Sequence, residues 1–235
     1  MYFCQKLGFY NMLYLEYFTF NTFQTRCTLL WDEQGFCAFV DPGFSCTEER
    51  DALTEAVSSR GLKPVCIMLT HGHFDHILGV AELAGLYGPE GHCLPIYMHP
   101  DEKFTLDNNS FFVRAFGAPM PTAFETTDVK EGDVVRVGSL CFEVISTPGH
   151  SAGGVCYYER SEKVLLSGDT LFAGAIGRSD HPGGDYDRLI RSISEKLITL
   201  DGDVTVIPGH GPCTDIATEG MTNPFLLPFN EPYED

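Results

Sequence analysis

The chain reads as a mixed α/β (α+β) protein in which two sheets pack face to face with helices outside, all within a single domain. Three observations predict this. Short apolar strand patterns alternate with amphipathic helical patterns along the whole chain, with no repeat, low-complexity tract or linker to mark a boundary. The second half repeats the first in style, each half being rich in strands and finished by helices. The 235 residues, 43% of them hydrophobic, can bury one substantial core and lie within reach of one large α/β domain.

Residues 13–20, 27–32 and 36–40 are predicted as consecutive strands, separated by residues 21–25 and by the Asp32-Glu33-Gln34-Gly35 turn. Asp41-Pro42-Gly43 ends the third. Residues 47–60 have helical spacing at Leu53, Ala56 and Val57, and Gly61 stops that helix. An apolar strand at 65–69 precedes an amphipathic helix at 77–87, closed by Gly88-Pro89, and a short strand at 95–98. The polar and aromatic stretch 101–118 reads as a helix and a loop lying across something. Phe111, Phe112 and Phe116 in it are spaced to pack on the core or to serve as a lid. Residues 134–137 and 140–146 form a hairpin through Gly138-Ser139, strands follow at 155–158 and 164–166, a helix at 186–200 and a last strand at 204–207.

Composition excludes several functions. Fifteen basic against 33 acidic residues give a formal charge of −18, and the Lys and Arg are scattered singly, which argues against nucleic acid as a partner. The nine cysteines, at 4, 27, 37, 46, 66, 93, 141, 156 and 213, contain no CxxC pair. They predict reduced thiols in a cytoplasm, neither a disulfide frame nor a cysteine-built structural zinc site. Residues 1–20 are apolar and aromatic but are broken by Asn11 and Glu16 and lack a small-residue cleavage site. No stretch approaches ~18 uninterrupted apolar residues, so neither a signal peptide nor a membrane span is predicted.

Thr70-His71-Gly72-His73-Phe74-Asp75-His76 places four potential metal ligands within six residues, directly after an apolar strand. In an extended segment residues i and i+2 point the same way, so His71 and His73 can chelate one ion from one side. Asp75 and His76 face elsewhere and are free to hold a second ion, as two-metal hydrolysis requires. Three further strands end alike, in a Gly-bearing turn and one His or Asp: Thr147-Pro148-Gly149-His150, Ser167-Gly168-Asp169-Thr170 and Pro208-Gly209-His210-Gly211. Each such ligand would be held at one rim by a rigid element. His92 and His99 lie outside every motif and are read as ordinary loop and strand-end residues.

This set, THxHxDH followed by PGH, GD and PGHG at strand ends, resembles the metallo-β-lactamase superfamily and its glyoxalase II branch, with Gly168 to Phe172 and Gly177-Arg178-Ser179-Asp180 as a branch signature. The resemblance covers roughly residues 13–227 and is nearest to short bacterial glyoxalase II-like hydrolases. It implies a four-layer αββα sandwich with metals at one edge. It further implies that His71, His73 and His150 bind a first divalent ion, that Asp75, His76 and His210 bind a second, and that Asp169 bridges them. All seven positions are present without substitution. Zinc is the first expectation for the two ions, with iron or manganese as alternatives. Asp75 and Asp169 are the expected catalytic residues. Water shared by two cations ionises near neutral pH and would attack a thioester carbonyl, and a thiol of pKa about 8.5 leaves with little help from a general acid.

The implied substrate is S-lactoylglutathione or a related acyl thioester. Arg178 occupies the place of a glutathione-binding basic residue, although pairing to Asp180 or Asp185 is an equally open reading. His181, beside Asp180 and Pro182, could touch substrate. The chain ends 25 residues after His210, short of the C-terminal helices that add glutathione contacts in longer enzymes, and Asp180 replaces an aromatic residue common there. The alternative activity is that of a persulfide dioxygenase, one iron held by His71, His150 and Asp169. A non-catalytic scaffold is a third possibility, β-lactam hydrolysis and nuclease activity are disfavoured, and oligomeric state is left open. Residues 1–11 fall outside the resemblance and are read as an extension ahead of a natural start near Met12.

Overall fold

The computed structural model describes residues 12–90 and 92–227, so the extension expected over residues 1–11 lies outside the described residues. Strands β1 (Tyr14–Phe20), β2 (Thr25–Trp31), β3 (Phe36–Val40), β4 (Lys63–Met68), β5 (Ile96–Met98) and β6 (Thr127–Asp128) form one sheet in that order. The first three pair antiparallel and the rest parallel. The second sheet contains β7 (Val134–Val137), β8 (Leu140–Ser146), β9 (Val155–Glu159) and β10 (Val164–Gly168), while β11 (Leu171–Phe172) and β12 (Ala175–Ile176) make a small separate hairpin. It is completed by β13 (Thr205–Pro208) and β14 (Thr214–Asp215), in the order β14-β13-β10-β9-β8-β7. Helices are α1 (Thr47–Ser59), α2 (Phe74–Ile77), α3 (Val80–Tyr87), α4 (Lys103–Phe116), α5 (Tyr186–Ser192) and α6 (Ile216–Thr222).

The near-continuous apolar runs in the central strands arise because both faces of each sheet are covered. Side chains alternate between layers with a period of two. Cys37 and Phe39 of β3 join the helix-side core with Leu53 and Val57 of α1 and Leu83 of α3, whereas Ala38 and Val40 face the space between the sheets. Phe142, Val144, Val155, Tyr157 and Leu166 fill that space from the second sheet. Cys156, Tyr158, Leu165 and Val206 point the other way, onto Leu189, Ile190 and Ile216 of α5 and α6. Three apolar layers between four layers of elements make the αββα sandwich expected.

Helix boundaries depart from expectation where local contacts override periodicity. The helix expected over 77–87 is α3 and starts only at Val80, since Ile77 closes the separate turn α2 and the chain breaks at Leu78-Gly79. The Gly79 N–H donates to Pro42 O at 2.9 Å instead of continuing the helix, and a Cβ there would lie 2.2 Å from the Phe44 ring. The segment 101–118 is a 3₁₀ turn (Pro100–Glu102) running into α4, which Gly117 ends at φ 66°. The helix expected over 186–200 keeps α-geometry only to Ser192, then widens into a π-turn (Ile193–Leu197). The two-residue strands β6, β11, β12 and β14, and helix α6, carry no periodic signal and were not expected. Among the described residues no helix is long and apolar enough to cross a membrane.

The two sheets are laced together at one rim. Val155 N–H donates to Thr70 O at 2.9 Å, the buried Tyr157 hydroxyl donates to Leu69 O at 2.9 Å, and Arg26 N–H donates to Gly209 O at 2.6 Å. Each bond reaches a residue within two positions of His71 or His210.

Candidate metal centre

At that rim the ends of four strands converge. His71 follows β4, His73 sits in extended backbone as the N-cap of α2, and Asp75 and His76 lie within that single helical turn. His150 follows β8, Asp169 follows β10 and His210 follows β13. The close approach depends on glycine. A Cβ on Gly209 would lie 2.4 Å from Asp169 Oδ1 and one on Gly168, where φ is 50°, would lie 2.3 Å from Thr70 Oγ1.

Candidate ligand atoms lie within 4.8 Å of one another in three groups: His71, His73 and His150, then Asp75, His76 and His210, and between them Asp41, His71 and His76, which overlaps both. Asp169 faces the first two groups, with its carboxylate oxygens 3.5 Å from His76 Nε2, 3.4 Å from His210 Nε2 and 3.7 Å from His150 Nε2. All seven residues expected at the centre therefore lie side by side.

Hydrogen bonds at the far side of each ring set which nitrogen carries the lone pair. His150 Nδ1 donates to Arg178 O at 2.7 Å and His210 Nδ1 to Phe23 O at 3.1 Å. His76 Nδ1 lies 3.1 Å from Asp41 Oδ2. The Thr70 hydroxyl donates to the same Asp41 oxygen at 2.6 Å, so it accepts from His71 Nδ1 at 3.0 Å. In the neutral ring Nε2 is then the nitrogen that carries the lone pair, turned inward.

The facing atoms are spaced as ligands that share one cation would be. His73 Nδ1 and His150 Nε2 stand 2.9 Å apart, and His76 Nε2 and His210 Nε2 stand 3.2 Å apart. Two lone pairs do not rest at such distances without a proton or cation between them, and ligands of a tetrahedral ion with bonds of about 2.0–2.1 Å stand at similar spacings. His71 Nε2 and Asp169 Oδ1 are buried without any hydrogen-bond partner. These residues fit a pair of divalent ions, and imidazole with carboxylate suits zinc, iron or manganese.

Charge is distributed unevenly over the cluster. Burial, with positive neighbours, holds His71 and His73 well below the usual histidine range, and burial likewise lowers His150. Burial opposes charge on His76 too, yet the facing carboxylates of Asp169 and Asp75 outweigh it and hold that ring well above its usual range. Asp169 is buried, but His76 and His210 keep its carboxyl well below the carboxylate range.

Several residues that sequence reasoning did not single out hold the centre in place. Asp41 serves His76, Thr70 Oγ1 and, at 2.8 Å, Thr70 N–H, from a backbone with φ 49°. The Thr25 hydroxyl donates to Asp75 Oδ2 at 2.8 Å. The signal for Asp41 was present: residues 36–40 followed by Asp41-Pro42-Gly43 repeat the design of apolar strand, Gly-bearing turn and acidic residue.

The two expected substrate residues are placed differently. His181 lies beside the first group, its ring 4.9 Å from that of His73 and 5.1 Å from that of His150, with Nε2 buried and unpartnered. The Arg178 side chain points away into a bidentate pair with Asp180, at 3.0 and 3.1 Å, both 70% exposed or more. What Arg178 contributes to the centre is its main-chain oxygen, which orients His150. His99 faces Asp101, 3.8 Å away.

A model of the metallo-beta-lactamase superfamily matches residues 21–210, from the turn after β1 to the last histidine of the cluster. The chain belongs to the metallo-beta-lactamase superfamily. Within that superfamily it is 35% identical over 215 residues to the hydroxyacylglutathione hydrolase GloC of Haemophilus influenzae, covering 90% of this chain and 97% of the relative. The structure of the BLEG-1 B3 metallo-beta-lactamase superposes with a TM-score of 0.81 at 34% identity, covering 92% of this chain and 99% of that one. TTHA1623 in a di-iron-bound form superposes with a TM-score of 0.78 at 35% identity, covering 90% and 100%. The chain is thus an enzyme of the metallo-hydrolase superfamily with His and Asp clusters suited to divalent metals.

Proposed function

We propose that this enzyme is a binuclear thioester hydrolase of glyoxalase II type, cleaving S-lactoylglutathione or a related acyl thioester. The observation that carries this reading is Asp169 set between two complete ligand groups, within 3.4–3.7 Å of histidines from both. His71, His73 and His150 would hold one ion and Asp75, His76 and His210 the other, with Asp169 shared. Bound there, two divalent ions would lower the pKa of water and polarise a carbonyl.

Around that chemistry the chain's own residues orient and exclude. Asp75, anchored by Thr25, is assigned to orient the attacking water. His181 Nε2 is an unpartnered polar atom beside the first ligand group and is assigned to the substrate. Water adds its oxygen to the acyl carbon, the C–S bond breaks, and the water's proton ends on the departing thiolate. A thiolate of conjugate-acid pKa about 8.5 leaves without a dedicated general acid. An amine would need one, which supports a thioester over an amide. The GloC relative supports the same substrate class. With Arg178 paired to Asp180, a glutathione carboxylate would have to compete for that guanidinium. The eight described cysteines are all free, which supports a reducing, cytoplasmic setting.

Metal content by elemental analysis, with S-lactoylglutathione hydrolysis on the same preparation, tests the reading. About two ions per chain with turnover is the expected result. A single iron, no hydrolysis and oxygen uptake with glutathione persulfide would replace it by the oxygenase reading. Turnover of a cephalosporin but of no thioester would place the activity with the BLEG-1 neighbour.

A further inference from the structure

Helix α4 carries an aromatic wall from the open surface to the metal centre. Its buried side is formed by Thr105, Asn109 and Phe112, and Phe112 packs its ring 4.9 Å from His73 and 5.4 Å from His181. At about 100° per residue, positions 104 and 111 lie on one stripe, roughly a third of a turn from the centre of that buried side. Phe104 is 47% exposed and Phe111 is 56% exposed. The Phe111 ring meets the Phe112 ring edge-on at 5.3 Å. The Phe104 ring rests over Gly183, where a Cβ would lie 3.1 Å from it, two residues from His181. Beside this wall, His181 Nε2 is buried and has no partner.

We propose that Phe104 and Phe111 wall a subsite for an apolar acyl group, so that the preferred thioesters carry a medium-length alkyl or aryl chain rather than a small hydroxyacyl group alone. The inference rests on the thioesterase reading above and names its substrate class. The acyl carbon must reach the seven-residue cluster to react, and a chain that leaves it on the side of His73 and His181 would meet the two exposed rings. A lactoyl group has little apolar surface to offer them. A longer apolar chain would cover both, removing apolar surface of ligand and protein from water together.

The test is kcat/KM for a series of glutathione thioesters in which only the acyl group changes: lactoyl, acetyl, butanoyl, hexanoyl, octanoyl and phenylacetyl. The expected result is a rise of roughly two- to fourfold per added methylene until the wall is covered, with phenylacetyl among the best. The double variant Phe104→Ser, Phe111→Ser should flatten that rise, whereas Leu86→Ser, which removes an exposed apolar side chain on α3, should keep it. A series that is flat or falling in the unaltered enzyme overturns the subsite while leaving the thioesterase reading intact. No hydrolysis of any member overturns the thioesterase reading itself. Self-association that the double variant abolishes, with the chain-length dependence unchanged, would assign the rings to an interface between copies and likewise overturn the subsite.

Discussion

Asp169 turns its carboxylate toward Nε2 of histidines from both ligand groups, and Asp169→Ala should show it. Bound metal should fall from about two ions to one or fewer and hydrolysis should be lost, since a bridging carboxylate both ligates and offsets the charge of two cations. Two retained ions with full activity, by elemental analysis and assay, would remove Asp169 from the centre. Asp41 touches no substrate, yet it orients His76 directly and His71 through Thr70. Asp41→Ala should therefore weaken metal binding by about 10- to 100-fold, the usual cost of losing a group that orients a ligand, read by competition with a chelator. The histidines were legible because each follows an apolar strand and a turn. Asp41 also follows an apolar strand, but its role, like that of Thr25, depends on a partner far along the chain, 35 and 50 positions away, so the local pattern marks Asp41 without saying what it holds and leaves Thr25 unmarked. Cysteine behaves as its burial dictates. Burial pushes the Cys37 and Cys66 thiols up to about 12 and Cys156 to about 11, and raises Cys27 well above its usual range. At pH 8 iodoacetamide, which attacks thiolates, should label the exposed Cys46, Cys93 and Cys213 and spare those four. Labelling of Cys37 or Cys66 in the native protein, seen by peptide mass spectrometry, would contradict the layer in which each is placed.

At the scale of elements, the α4 segment acts on the metal loop through its first turn. Glu102 is fully buried, and its two carboxylate oxygens accept the N–H of Gly72 and the N–H of Gly153, each at 2.7 Å. Asn109, two turns on, donates to the carbonyl of Gly72 at 2.8 Å. Both polar groups of the residue between His71 and His73 are thus held by one helical segment, and the same carboxylate ties in the loop that follows His150. In Glu102→Gln one oxygen becomes an NH₂ group facing an N–H, leaving a buried amide without an acceptor. That costs about 1–3 kcal/mol, and for a chain of this size the metal-loaded protein should melt roughly 2–12 °C lower. An unchanged melting temperature would mean that Glu102 is not the clamp. The strands β3, β4, β8, β9, β10 and β13 were readable because their central residues are buried and mostly apolar. Segment 101–118 was not, because α4 covers a polar centre and its buried face consists of Thr105, Asn109 and Phe112, which no amphipathic stripe announces. The break at Gly79 was hidden for a related reason: Phe44, which requires the glycine, is supplied by a loop 35 positions earlier.

For the whole molecule, the decisive fact is which sheet supplies which ligand. His71, His73, Asp75 and His76 come from the connection after β4 in the first sheet, whereas His150, Asp169 and His210 follow β8, β10 and β13 in the second. Each proposed ion would therefore take ligands from both sheets, at the rim where Val155 N–H, Tyr157 and Arg26 N–H already lace them together. The formal charge of −18 adds a reason for cations to matter, since Asp75 and Asp169 sit at this junction within an acidic chain. Ions that bind only the folded state stabilise it by mass action, about 4 kcal/mol for a site held at a thousandfold excess over its Kd. At roughly 2–4 °C per kcal/mol for a domain of this size, removing one such ion should lower the melting temperature by roughly 8–16 °C, and removing both by more. The measurement is a thermal scan before and after chelation, with metal content followed in the same sample and re-addition of the ion restoring the original transition. A melting temperature unchanged after the metal has demonstrably left would mean that the ions bind to a junction already held by the backbone bonds alone, and the seven-residue cluster would then serve catalysis without joining the sheets.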